Sequence, residues 1–527
     1  MSADTIIPLH EYDCMPLLTN IFFTLLLKYD RVLDPHVLEK SLVELIDREG
    51  WRKLGSRLKR DAKGDLVYHV PASFDESHPA ITFSHVHHDM FIADHPLARQ
   101  IPTSKSGRED APSVVLDLGK LAPLTRRADA PHNIAEFIAR NLPQLELHVV
   151  TFRDGTTVGI SFLHSLLDGM ALGGLLSAWS LVLHGKGDQV PPVCGVDRDV
   201  LRELRTFNDS NAKPAAAPVV YKHARYVMGR LATLRFVLGR IWEFVRYRQE
   251  EVRVVRVPGS FVTRMREAAL QHLATAAEGD AVAAAATAAA AAAPVEKQPW
   301  VSEGDVLVAW WSRYATLQYA NRPDKPIMIT NAFSMRKALA GTLLPPLPRD
   351  GGRPHVYLAN CVTGLNVYTT IRGLGTAMAE TAAAVRRSIV ELGTVEQLAA
   401  MHAICLEDPR KLWKMRFSGM PDAHMTIFTN WTQALFHHVD LAPAVAAGGG
   451  GGGDGTDEQA VNGRCPEEQQ GPVMPSFVGS HMNSPVWPLR DQFVIIGKDG
   501  QGDYWLSGTL RKGLWGKIEE ALEKQEL

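Results

Sequence analysis

Residues 145–169 read Leu-Glu-Leu-His-Val-Val-Thr-Phe-Arg-Asp-Gly-Thr-Thr-Val-Gly-Ile-Ser-Phe-Leu-His-Ser-Leu-Leu-Asp-Gly. Asp154-Gly155 falls between two apolar runs, Val149 to Phe152 and Val158 to Phe162. That pattern predicts a β-hairpin. The second strand delivers His164 to its end, Asp168 and Gly169 follow in a turn, and a helix is expected from Met170 to about Leu183. An imidazole fixed by a strand and opened to solutes by a loop suits a general base. A lone histidine on an apolar strand is also commonly a satisfied, half-buried side chain, so the wider chain has to decide.

At 527 residues the chain exceeds one ordinary core and predicts two domains. The expected division is an N-terminal unit over 1–190, a crossover with a long helix over 191–250, and a C-terminal unit over 251–527. Two low-complexity insertions fall near 275–294, mostly Ala, and 446–470, Gly-rich then polar. The first is read as a mobile insertion, because it offers little large apolar surface for docking. The glycines of the second lack the Lys-Ser/Thr and strand-to-helix context of a phosphate loop.

Hydrophobic content of 46% and charged content of 22% are those of a globular protein, and a net charge of −2 gives no electrostatic case for nucleic acid. Five scattered cysteines form no C-x-x-C pair, which points away from a disulfide framework or zinc ribbon and toward a reducing, cytoplasmic setting. Met15 to Leu27 is apolar but follows Asp4, Glu11 and Asp13. It is too short to span a bilayer and is expected to be a buried helix. Val219 to Glu250 is expected to be helical and basic. On one continuous helix Arg225, Arg230, Arg235 and Arg240 would point around the whole axis, so a packed or lid-like helix is expected rather than a membrane anchor.

Elsewhere, Leu38 to Arg48, Val306 to Tyr319, Gly373 to Leu392 and Trp515 to Leu522 predict helices, with Ser302 and Asp305 capping the second. Leu66 to Val70, Ser113 to Leu118, Ile327 to Ile329, Tyr357 to Val362, Phe428 to Thr429, Phe493 to Gly497 and Asp503 to Ser507 predict strands. His85, His87, His88, Asp89, Asp94 and His95 match no zinc-binding spacing and are read as an exposed strand-to-loop segment; no metal is expected. Trp310 and Trp311 are expected in the core, and His437-His438 at the surface.

Taken together these landmarks resemble the BAHD family of acyl-CoA-dependent acyltransferases, in a fungal-like branch. Pro8-Leu9 to Asp13 looks like the family's entry segment, and His164 to Gly169 matches H-x-x-x-D-G. Val301 to Leu307, Asn331 to Arg336, Tyr357 to Val362, Asn430-Trp431 to Pro443 and Gly500 to Ser507 follow in the family's order. The D-F-G-W-G motif keeps only Asp440, followed by Leu441-Ala442-Pro443-Ala444, a departure that bears on coenzyme A handling more than on the chemistry.

The resemblance implies an α/β fold of two chloramphenicol-acetyltransferase-like domains with mixed sheets, flanking helices and a channel between them. It implies a monomer with no permanently bound cofactor. An acyl group would move from acyl-CoA, as co-substrate, to a hydroxyl or amine of a small-molecule acceptor, in a ternary complex with His164 as base. Asp168 and Gly169 would hold the motif, with Arg336 pairing Asp168 or Asp440, and Asn430 and Trp431 as candidate oxyanion donors. A condensation-type enzyme using carrier-protein thioesters is an alternative. That class usually places a second His before the motif, where this chain has Leu163. A catalytically silent binding protein on the same fold is another.

Overall fold

The hairpin forms where the sequence places it. Leu145–Thr151 and Thr156–Leu163 pair antiparallel, with Thr151 opposite Thr156. The computed structural model describes residues 4–103, 105–210, 218–286, 300–348, 354–406, 414–446, 471–484 and 490–524. In it the hairpin lies at the heart of a five-stranded mixed sheet. The strand order is Phe477–Asn483, Phe22–Tyr29, Thr156–Leu163, Leu145–Thr151, Thr82–His87. A seven-stranded mixed sheet runs Val362–Thr370, Pro326–Ser334, His424–Asn430, Gln492–Lys498, Tyr504–Arg511, Glu250–Val257, Ser113–Asp117.

Each half of the chain lends an edge strand to the other's sheet. Phe477–Asn483 comes late in sequence yet pairs with Phe22–Tyr29, whereas Ser113–Asp117 comes early yet pairs with Glu250–Val257. Helices Pro35–Ile46 and Gly169–Leu183 pack on one another, tied by the Trp179 indole N–H donating to Ser41 Oγ at 2.8 Å. Glu303–Ala315, Met378–Leu392 and Gly259–Ala286 pack together beside the larger sheet. Ser302 and Asp305 form the expected capping box, and Trp310 and Trp311 are core residues.

Several expected elements change. The Met15 to Leu27 run is a four-residue helix, Pro16–Thr19, and then the strand Phe22–Tyr29 rather than one buried helix. Every residue of that strand is buried between two neighbouring strands and on both faces, so it lacks the alternation that marks a half-exposed strand. The expected Val219 to Glu250 helix is helical only over Arg230–Arg246. Before it the Met228 N–H donates to Phe417 O, an extended pairing incompatible with helix, and after it Glu250–Val257 is a strand. The Ala-rich segment continues the helix Gly259–Ala286, in keeping with the helix preference of alanine. Its remainder, like 447–470, lies outside the described residues. Tyr357 to Val362 is not one strand: residues 358–361 are irregular, because the Asn360 and Cys361 N–H groups donate to carboxylates instead of a ladder. His437 is buried, not at the surface.

Burial pushes four histidines well down, His402 and His424 to about 3 and His437 and His481 to about 4. The native state refuses protons that the unfolded chain accepts near 6.5, so this stability is present above that pH and lost as pH falls toward 4. The thermal midpoint should therefore drop between pH 7 and pH 5, and His402→Gln should reduce the pH dependence in a calorimetric series. An equal midpoint at both pH values would refute the linkage.

Candidate functional site

Leu163 ends its strand against Phe22, and the His164 N–H continues the register by donating to Ile21 O at 2.8 Å. His164 thereby keeps a defined backbone position beyond the last strand pair. Its ring stands edge-on to Phe23, with centroids 6.3 Å apart, and the residue is 9% exposed. Nδ1 is buried with no hydrogen-bond partner among the described residues.

Two buried carboxylates hold the turn that carries His164. Asp168 Oδ1 caps the Gly169–Leu183 helix, accepting from Met170 N at 3.1 Å and Ala171 N at 2.9 Å. Its Oδ2 accepts from Arg336 Nη1 at 2.8 Å and Cys361 N at 2.9 Å. Burial alone would raise this carboxyl, but the guanidinium and the backbone donors outweigh it and hold Asp168 below the ordinary carboxylate value. Arg336 is satisfied in turn by Tyr357 O and Ala359 O, both at 2.9 Å from Nη2. Of the two partners expected for Arg336, the structure selects Asp168.

The second carboxylate is Asp13. Oδ1 accepts from Asn360 N at 2.9 Å and from Asn360 Nδ2 at 2.8 Å. The same Nδ2 donates to the His164 carbonyl at 2.7 Å. Asp13 Oδ2 accepts from Lys53 Nζ at 3.3 Å and Tyr68 OH at 3.2 Å, and Tyr68 also donates to Ser165 O. Asp13 and Asn360 sit in stretches that the sequence reading quoted without assigning them to the site. Lys53 and Tyr68 carry no local signal, since only the three-dimensional pairing brings them to Asp13.

The other expected residues divide. Gly169 is needed for room: a Cβ there would lie 2.5 Å from Trp431 Nε1. Its φ is not in the left-handed region, so the close approach of Trp431 rather than backbone freedom calls for glycine here. Trp431 packs on Phe23, centroids 5.0 Å apart, and approaches His164 through that ring. Asn430 Oδ1 accepts from Thr432 N at 2.9 Å, and its amide lies over Gly304 at the start of a helix. Asp440 lies near the far end of the Gly169–Leu183 helix, about 20 Å along it. There its carbonyl accepts from Ser180 Oγ and its carboxylate meets Val473 N at 2.8 Å and His184 Nε2 at 3.2 Å.

The two nucleophile types beside the motif are both buried. Ser165 is fully buried and donates to Gln144 Oε1 at 3.4 Å. Burial pushes the Cys361 thiol up to about 12, so it stays a thiol. A cavity of about 290 Å³, lined by Asp117, Arg253, His481, Asn483 and Thr509 among others, opens between the two sheets. Asn483 pairs with Phe22, which pairs with Leu163, so this cavity begins two strands, about 10 Å, from the residue before His164. His85 Nε2 and His87 Nδ1 both contact Thr151 Oγ1, at 2.9 and 3.0 Å, on an exposed strand end.

No family model matches the sequence. The chain is 31% identical to a protein named acetyltransferase adrJ of Penicillium rubens, over 99% of this chain and 96% of that one. It is equally identical to one named transcriptional regulator calD of Penicillium decumbens, over 100% and 96%. Among solved structures, TRI101 of F. graminearum with coenzyme A and T-2 mycotoxin superposes with a TM-score of 0.63 at 12% identity, covering 99% of this chain and 98% of that one. Vinorine synthase superposes at 0.54, also at 12% identity, covering 99% and 97%. At that identity the structures speak for the fold, two chloramphenicol-acetyltransferase-like domains. With the full-length relatives beside them, the chain belongs to the fungal branch of the BAHD-type acyltransferase family.

Proposed function

We propose that this protein transfers an acyl group, acetyl in the first instance, from coenzyme A to a hydroxyl of a hydroxylated secondary metabolite. One observation carries the reading: a histidine at a strand end, on a turn held by Asn360 and two buried carboxylates, whose ring Nδ1 makes no hydrogen bond among the described residues. His164 Nε2 takes the proton of the acceptor hydroxyl as the oxygen attacks the thioester carbonyl. The tetrahedral intermediate collapses, the carbon–sulfur bond breaks, and the proton passes to the coenzyme A sulfur. No acyl-enzyme is formed. Full-length relatives named acetyltransferase, adrJ among them, support acetyl as the donor group. TRI101 with coenzyme A and T-2 mycotoxin supports a thioester donor and a small-molecule acceptor.

The two domains divide at 1–190 and 251–527, with the crossover between, and exchange edge strands. The cavity beside Asn483 is the approach for one substrate. The enzyme works as a monomer in the cytoplasm; among the described residues no helix is long and apolar enough to cross a membrane. The relative named transcriptional regulator favours a second reading, a non-catalytic protein on the same fold. Turnover separates the two.

Thiol release from acetyl-CoA should be measured with a panel of alcohols for wild type and His164→Ala. Loss of about 10²-fold or more in the variant, with an unchanged circular dichroism spectrum, is expected for a general base. Equal turnover in both would remove His164 from the mechanism, and silence in both would favour the second reading. Asn360→Ala frees the His164 carbonyl and should lower kcat about tenfold or more with little change in KM, because it shifts the base without removing it. Arg336→Met leaves Asp168 buried and unpaired and should cost about 3 kcal/mol in denaturant unfolding.

A further inference from the structure

The Arg230–Arg246 helix presents an apolar stripe to solvent. Leu231, Leu234, Leu238, Ile241, Trp242 and Val245 are all exposed, Leu231 by 81% and Trp242 by 69%. At about 100° per residue they fill an arc roughly 100° wide, centred on the outward face. Arg230 lies just beyond one edge of the arc and Arg235 and Arg246 just beyond the other, all within about 40° of it. Arg240 turns inward, where it meets Glu243 at 2.9 Å and Asp491 at 3.6 Å. The sequence-level objection to a membrane surface counted Arg225, which precedes the helix, and Arg240, which is buried. Without those two, the charges border the apolar stripe instead of circling the axis.

We propose that this face is an interfacial anchor that seats the protein on an anionic phospholipid surface, the stripe entering the acyl–headgroup boundary and the arginines contacting lipid phosphates. This goes beyond the proposed acyl transfer and does not depend on it. Charge decides among occupants. Glu243, the helix's single acidic residue, faces inward to Arg240, and Arg235 is paired with Asp422 at 2.8 Å, so Arg230 and Arg246 are the cations that border the apolar stripe. A second copy packed on the same face would set arginine rims against each other. A stripe of Leu, Ile, Val and Trp bordered by arginine suits a bilayer carrying negative headgroups.

The test is vesicle flotation of the full chain with phosphatidylcholine vesicles and with vesicles containing about one-third phosphatidylserine. Wild type should float with the anionic vesicles, weakly with the neutral ones, and less in high salt. Leu238→Glu with Trp242→Glu should abolish flotation, and Arg230→Ala with Arg246→Ala should lower partitioning about 30-fold. These positions are exposed and away from His164, so thermal midpoints and acyl transfer in free solution should be unchanged. The proposal is overturned if wild type does not float with the anionic vesicles, or if the double glutamate variant floats as well as wild type. It is also overturned if light scattering shows a wild-type dimer that the glutamates dissociate, which would make a second copy the occupant.

Discussion

The Asp168 carboxylate is the constraint on which the site depends. One oxygen caps the helix that begins at Gly169; the other binds Arg336 and the Cys361 N–H. Two stretches of chain far apart in sequence, the motif and the 336–361 region, are thereby fixed to one buried charge. A buried ion is tolerated only when fully satisfied, and every partner here is either a backbone donor or a guanidinium whose remaining donors are taken by Tyr357 and Ala359 carbonyls. Asp13 repeats the same logic on the other side of His164. Neither acid touches the imidazole. They set the backbone on which it stands and leave the ring outside both networks.

Packing turns this anchoring into shape. Gly169 and Gly173 remove side chains from one face of their helix. Trp431 and Ala434 close onto that face, with Cβ positions there only 2.5 and 2.8 Å from the facing atoms. Trp431 then backs Phe23, and Phe23 backs His164. The exchanged edge strands act at longer range. Parting the halves would break seven ladder positions between Phe477–Asn483 and Phe22–Tyr29 and the pairing of Ser113–Asp117 with Glu250–Val257. Substrate entry through a preformed gap between the sheets is therefore favoured over wide opening of the two halves.

Much of this was legible in the sequence where one residue's chemistry is local. Asp154-Gly155 specifies the hairpin, Ser302 and Asp305 specify a helix start, and His164 to Gly169 mark the strand end and its cap. What was not legible is what depends on distant partners. Phe22–Tyr29 reads as a helix because a strand buried on both faces has no alternation, and its neighbours lie more than a hundred residues away. Lys53 enters the site through Asp13, and Tyr68 and Asn360 join Asp13 to the Ser165 and His164 carbonyls, contacts that no local pattern announces. For Asn430 and Trp431 the structure shows packing and turn roles that the order of landmarks does not reveal. Asn430 secures a turn, and Trp431 fills the space that Gly169 vacates.

The basic helix shows the same limit in another form. Helical angles are meaningful only if the helix boundaries are right, and the extended pairing at Met228 moves the start to Arg230. Once Arg225 is excluded and Arg240 is drawn inward by Glu243 and Asp491, a helix that looked evenly charged becomes apolar outward with basic margins. That surface suits the proposed chemistry. Acylation replaces a hydroxyl donor with an ester and makes a metabolite more apolar, so the product favours a lipid boundary more than the acceptor does. A protein held at that boundary by one exposed helix would release its product where the product partitions, while the coenzyme A thioester, being charged, arrives from water.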